Sequence, residues 1–189
     1  LELKDLIGSF IDKIYQISRD EILIKIKNVK TKQKQAIYIR NGEFLCLTQK
    51  DIITPDRPTT FAMTLRKYLQ NGKISKISQH EFDRILKIQI SRKKGNYSLI
   101  FEFFSNGNII LTDSDEKIIL PLIRQAWAHR TVKGREPYKP PPSQINPFKL
   151  NKEEFYKLIK QSNSDIVRTL AVNINLSGQI AEEICRRAD

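Results

Sequence analysis

The chain has 189 residues, 40% of them hydrophobic, and 33 lysines and arginines against 21 aspartates and glutamates give a formal net charge of +12. That length and apolar content suffice for one large or two small domains with a true core, and the charge excess points to a polyanionic partner. Two cysteines and two histidines supply neither a disulfide framework nor a multi-histidine metal site, no apolar run reaches the roughly 18 residues of a membrane span, and no signal-peptide pattern is present. The expectation is a cytoplasmic protein without metal or cofactor that engages no membrane. The opening at Leu1, with Met63 as sole methionine, leads us to expect the natural amino terminus upstream.

Residues 10–17 and 21–27 alternate apolar and polar side chains at strand period, rich in isoleucines that suit a pleated surface, and are expected to pair across Ser18-Arg19-Asp20. Strands are expected again at 35–40 and 43–47, joined by Asn41-Gly42 as a two-residue hairpin turn. A helix follows, capped by Thr59 or Thr60, with Phe61, Leu65 and Leu69 on one face. Arg66, Lys67 and Gln70 are expected on its exposed side and Asn71-Gly72 as its left-handed stop. Strands at 85–91 and 97–104 turn at residues 92–96, and Ser105-Asn106-Gly107 turns the chain into a strand at 108–112. This is an antiparallel meander interrupted by one helix.

Gly134, Pro137 and Pro140-Pro141-Pro142 fit neither helix nor central strand and read as an extended linker. Beyond them the period turns helical at Lys152–Gln161, 164–172 and 179–187, with Ser164 as a cap. The expected fold class is therefore α+β, with a β-rich domain over 1–136, a proline-rich linker over 137–148 and a small helical domain over 149–189. Residues 173–178 join the last two helices in the general shape of a helix-hairpin-helix, whose turn amides at Gly178 and following helix start can hold a phosphate; simple packing of two helices is the alternative.

The basic residues cluster. Lys25, Lys27, Lys30, Lys32 and Lys34 lie in an acid-free stretch, as do Arg124, Arg130, Lys133 and Arg135, while Arg92, Lys93 and Lys94 crown a hairpin. Charges on turns and polar strand faces neutralise phosphates, whereas any one cluster alone reads equally well as a solubilising surface. Asp83-Arg84 stands at the entrance to a strand. Adjacent strand residues face opposite ways, so an edge position would present the carboxylate to a base edge or ribose and the guanidinium to a phosphate; a surface dipeptide is the alternative. His80 and Glu81 are accompanied by no nucleophile or glycine-rich phosphate loop, and no catalytic residue is assigned. Leu99, Phe101 and Phe103 share one face and read as core, leaving Trp127 and His129 as the better base-stacking candidates, with partial burial against the sheet as their alternative.

Several segments together resemble the NFACT family, which comprises NEMF, bacterial and archaeal RqcH and the fibronectin-binding-protein-A homologues. They are Ile11-Asp12-Lys13-Ile14-Tyr15-Gln16, Phe61-Ala62-Met63-Thr64-Leu65-Arg66-Lys67-Tyr68-Leu69, Phe82-Asp83-Arg84, and Gly107-Asn108-Ile109-Ile110-Leu111-Thr112-Asp113. Tyr138 with the three prolines, and Asn175-Leu176-Ser177-Gly178-Gln179-Ile180-Ala181-Glu182-Glu183-Ile184, complete the series. The resemblance implies an NFACT-N domain, similar in fold to the amino-terminal domain of formamidopyrimidine-DNA glycosylases, followed by a helix-hairpin-helix. It also implies binding of tRNA and of the large ribosomal subunit carrying stalled peptidyl-tRNA, in support of mRNA-independent tailing of the nascent chain, with Asp83 and Arg84 as the signature pair. The family's preceding segment, coiled coil and NFACT-R domain have no counterpart here, so an amino-terminal fragment is expected. Leu1 does not supply the glycosylases' proline nucleophile, nor do two cysteines supply their zinc finger. The residues expected at nucleic acid are Asp83, Arg84, Arg66, Lys67, Arg92, Lys93, Lys94, Arg124, Arg130, Lys133, Arg135 and Gly178. A non-enzymatic recognition module is the leading expectation, with a DNA-repair-type enzyme and a surface fibronectin-binding adhesin as rivals.

Overall fold

Period-two isoleucines in the second and third strands anchor the first half of the sheet. β1 (Phe10–Gln16), β2 (Glu21–Lys27), β3 (Lys34–Arg40) and β4 (Phe44–Thr48) pair as an antiparallel meander. Ile14, Ile22, Ile24, Ile26, Ile37 and Ile39 are buried on one face of it, each contributing about 1.5–3 kcal/mol through removal from water. α1 (Thr60–Leu69) starts at Thr59, whose side chain accepts the Ala62 N–H at 3.2 Å, and buries Phe61, Leu65 and Leu69. Of the expected stop, Asn71 alone takes the left-handed conformation, at φ 61°.

The second half is β5 (Lys73–Gln79), β6 (Ile85–Arg92), β7 (Gly95–Glu102), β8 (Asn108–Thr112) and β9 (Ile118–Pro121), giving one nine-stranded sheet ordered β4-β3-β2-β1-β5-β6-β7-β8-β9. β1 meets β5 through a single residue pair, Phe10 with Lys73, and the apolar faces of both halves feed one core that joins Ile14 and Ile24 to Ile88, Ile90, Leu99 and Phe101. Away from that junction the halves also meet at two glycine turns. Asn41 Nδ2 donates to the Gly107 carbonyl at 3.1 Å, and a β-carbon on Gly107 would stand 2.2 Å from the Glu102 carbonyl oxygen and 2.5 Å from Gly42 Cα. A smaller core on the other face of the second half gathers Ile85, Ile100, Ile110, Ile118 and Val132. The short hairpin β10 (Gln125–Ala126) and β11 (Thr131–Val132) belongs to this region, where Trp127 and Tyr138 pack.

The structure, a computed structural model, describes residues 2–29, 34–104, 106–142 and 145–188. They divide into two units, the first containing the sheet and α1, the second formed by Glu81–Asp83 and the chain from Pro142 onward. In the second, α2 (Lys152–Gln161) begins with a capping box of Asn151 and Glu154, and α3 (Ile166–Asn173) packs on α4 (Gly178–Ala188) around Leu170, Ile174 and Ala181. No helix among the described residues is long and apolar enough to cross a membrane.

Several local expectations are corrected. The Asn41-Gly42 turn is three residues long, since Arg40 pairs with Phe44, and only Gly42 has positive φ, at 76°. The hairpin expected to turn over 92–96 is tighter: Arg92 pairs with Gly95, leaving Lys93 and Lys94 as the whole turn. β5 went unread because a bulge between Ile74 and Lys76 breaks its period, and the short β9, β10 and β11 carry too few residues to show one. α3 is capped by Asp165, which accepts the Arg168 N–H at 2.8 Å, in place of Ser164. Residues 137–139, read as linker, are held in the first unit: Lys117 bridges to Pro137, and the Lys139 carbonyl accepts from Arg130.

Candidate nucleic-acid interface

The Arg92-Lys93-Lys94 cluster meets the end of α1 at one corner of the first unit. The β6–β7 hairpin holds Lys93 and Lys94 exposed at its tip, and Arg92 Nη1 donates to the Lys67 carbonyl at 2.6 Å, tying the hairpin to the last turn of α1. Lys67 is exposed with its ammonium 5.4 Å from the Tyr68 ring centre. Tyr68 in turn packs edge-on against Tyr97 of β7, with ring centres 5.2 Å apart. Three exposed lysines, Arg92 and a half-covered aromatic pair thus share a surface built from a helix end and a two-residue turn, a base for phosphate contacts.

Arg66 sits elsewhere. Instead of standing free on the outer side of α1, its Nε donates to the Ile14 carbonyl at 2.6 Å, and its guanidinium lies 4.9 Å from the Tyr15 ring centre. Lys25 approaches the same ring at 5.6 Å. Tyr15 was missed in the sequence because its period-two position says only that it faces opposite Ile14.

The Arg124–Arg135 cluster splits. Arg124, Lys133 and Arg135 are exposed around the β10–β11 hairpin, with Lys133 3.5 Å from Glu136. Arg130, expected at the surface, is an interior residue. It forms a two-pronged ion pair with fully buried Glu102, at 2.6 and 2.9 Å, and donates to the Lys139 carbonyl at 3.1 Å. Its guanidinium also lies 4.6 Å from the Trp127 ring centre, so the half-buried Trp127 is spent on this contact, while His129 stays exposed. Tyr138 donates its hydroxyl to Glu102 at 3.0 Å, and burial together with that carboxylate pushes the phenol far above its usual range. Glu102, the partner that commits Arg130, stands 28 residues away in sequence, and no local signal announces it.

Asp83 and Arg84 differ in setting. Asp83 is buried and belongs to the second unit, whereas Arg84 is exposed in the first. The strand they enter is not an edge, because β6 pairs with β5 and β7 on its two sides. The Arg84 carbonyl accepts the Phe103 N–H at 2.8 Å, so the backbone at Arg84 is fixed by the sheet. Gly178 opens α4, with Ser177 accepting the Ile180 N–H at 3.3 Å. Leu99 and Phe101 are core as expected. Of the first lysine cluster, Lys25, Lys27 and Lys34 lie on β2 and β3, and Lys30 and Lys32 fall outside the described residues.

The family model for the NFACT N-terminal and middle domains matches residues 1–189. The chain is 34% identical to an archaeal Rqc2 homolog, aRqcH, of Methanocaldococcus jannaschii, over all of this chain and 30% of that protein. It is also 34% identical to ribosome quality control complex subunit 2 of Saccharomyces cerevisiae over 71% of this chain and 13% of that one. Among solved structures, the N-terminal domain of fibronectin-binding protein PavA from Streptococcus pneumoniae superposes with a TM-score of 0.83 at 30% identity, over 99% of this chain and 75% of that one. The chain therefore spans under a third of the length of these curated relatives, and across that span it belongs to the NFACT family.

Proposed function

We propose that this chain is the tRNA- and large-subunit-binding part of a ribosome-associated quality control factor. In this reading it recruits tRNA to subunits carrying stalled peptidyl-tRNA and supports mRNA-independent tailing of the nascent chain, acting in the cytoplasm by recognition while peptide-bond chemistry stays with the ribosome. The family match over the whole chain, with relatives named as Rqc2 homologues and ribosome quality control subunits, carries the reading. Physical support comes from the +12 charge and from Lys67, Lys93 and Lys94 standing exposed at one corner. Asp83 and Arg84 are assigned to tRNA placement, the α3–α4 hairpin to a helix-hairpin-helix phosphate contact, and the sheet to a glycosylase-like fold without glycosylase chemistry. Affinity for tRNA measured across a salt series tests it: log K is expected to fall with a slope of several units, as counterions are released from about five phosphates. A flat response removes the proposal.

One observation favours a second reading. The similar streptococcal structures are named for fibronectin or fibrinogen binding, and that activity predicts capture on immobilised fibronectin without salt-dependent tRNA binding. Offering the purified chain tRNA, damaged duplex DNA and fibronectin side by side separates the three alternatives.

A further inference from the structure

The outer face of the first meander holds a pocket that the readings above do not use. β1 and β2 place Lys13 opposite Lys25, and the next rung on the same face places Lys27 opposite Lys34. Like charges directly opposite on a sheet face repel and cost stability. Two such pairs on adjacent rungs concentrate positive charge on this face.

The backbone of β1 puts Lys13 on this face. Ile11 and Ile14 both point into the core, with 2% and 0% exposure, which strict alternation over three positions forbids. The register shift between Ile11 and Lys13 is the reason: the bulge turns Asp12 and Lys13 out together. Beside them lies a cavity of about 260 Å³. Leu23 and Ala36, outward on their strands yet buried, supply apolar lining, and Tyr15 lines it as well. Four lysines, Lys13, Lys25, Lys34 and Lys50, line it against two aspartates, Asp12 and Asp51. An apolar surface edged by an excess of ammonium groups suits a phosphate attached to a small organic body.

We propose that this pocket binds a phosphate group, supplied by a free nucleotide or by an RNA strand, with Lys13, Lys25 and Lys34 as its cationic contacts. The site is distinct from the β6–β7 hairpin and does not depend on the tRNA reading.

Thermal melting in low-salt buffer tests it with three proteins: the unaltered chain, Lys13→Gln/Lys25→Gln, and Lys93→Gln/Lys94→Gln. Pyrophosphate and a ten-nucleotide single-stranded RNA are the probes. Without a probe, Lys13→Gln/Lys25→Gln is expected to melt above the unaltered chain, since a repelling pair is removed. Pyrophosphate is expected to raise Tm by about 3 °C or more in the unaltered chain and in the hairpin variant, and to leave Lys13→Gln/Lys25→Gln unmoved. Displacement of pyrophosphate by the RNA assigns the phosphate to a polynucleotide; no displacement assigns it to a free nucleotide. Equal pyrophosphate shifts in the unaltered chain and Lys13→Gln/Lys25→Gln, no shift in the unaltered chain, or a lower melting point for Lys13→Gln/Lys25→Gln without a probe would overturn the proposal. Loss of tRNA binding in the hairpin variant with its pyrophosphate shift intact keeps this site apart from the proposed tRNA surface.

Discussion

Arg130 and the Lys93-Lys94 turn look alike in sequence, each part of a basic run, yet the fold uses them in opposite ways. Arg130 is enclosed by Glu102, the Lys139 carbonyl and Trp127. Lys93 and Lys94 stand exposed as the two residues of a turn. In the first case charge holds residues 127–139 onto the sheet, and in the second it is available to a partner. Positive charge in a basic protein is therefore not one resource, and its function depends on whether a carboxylate has been buried beside it.

The largest effect that sharpens this contrast is on stability. Arg130→Ala leaves the Glu102 carboxylate buried without its partner, and a loss of about 3–5 kcal/mol is expected in urea unfolding. A change no larger than that of an exposed lysine would place the ion pair outside the account.

Tyr138→Phe removes the hydroxyl that Glu102 accepts, with an expected loss of about 1.5–3 kcal/mol near neutral pH. The folded phenol titrates above its unfolded value because burial and the Glu102 carboxylate disfavour the phenolate. Its contribution is thus complete below about pH 10, the unfolded value, and is lost as pH rises beyond it. Urea midpoints of the two proteins are expected to differ most below that pH and to converge above it; a gap that widens there has the wrong sign.

On the surface side, Lys93→Glu/Lys94→Glu is expected to weaken tRNA binding about tenfold or more, near 1.4 kcal/mol, with the urea midpoint unchanged. The smallest effect belongs to Gly178. No atom lies within 4 Å of a β-carbon placed there, so Gly178→Ala is expected to stabilise by about 0.4–1 kcal/mol. Ala181→Ser is expected to be the more harmful change, because Ala181 is fully buried between α3 and α4. A melting point lowered by Gly178→Ala would show that the residue is constrained by more than the helix start.

Much of the sheet was legible because isoleucines repeat at period two in β2, β3 and β6, and α1 because Phe61, Leu65 and Leu69 repeat at helical spacing. Local rules failed where a bulge shifted phase, at Ile74 and Lys76, and where two backbones meet, at Gly42 and Gly107. The candidate site was legible only as charge. No local pattern separates Lys93 from Arg130, because exposure depends on partners such as Glu102 that are distant in the chain. The burial of Asp83 had no local signal for a similar reason, since an acidic residue beside an arginine reads as surface.

The central claim is that exposed cations at the β6–β7 hairpin hold RNA phosphates. Its most direct test is the salt dependence of tRNA affinity for the unaltered chain beside Lys93→Glu/Lys94→Glu, between about 50 and 200 mM salt. The account predicts a steep fall of log K with log salt for the unaltered chain, and a slope shallower by about 2 units for the variant, close to one per lysine. Identical slopes in two equally stable proteins would contradict it.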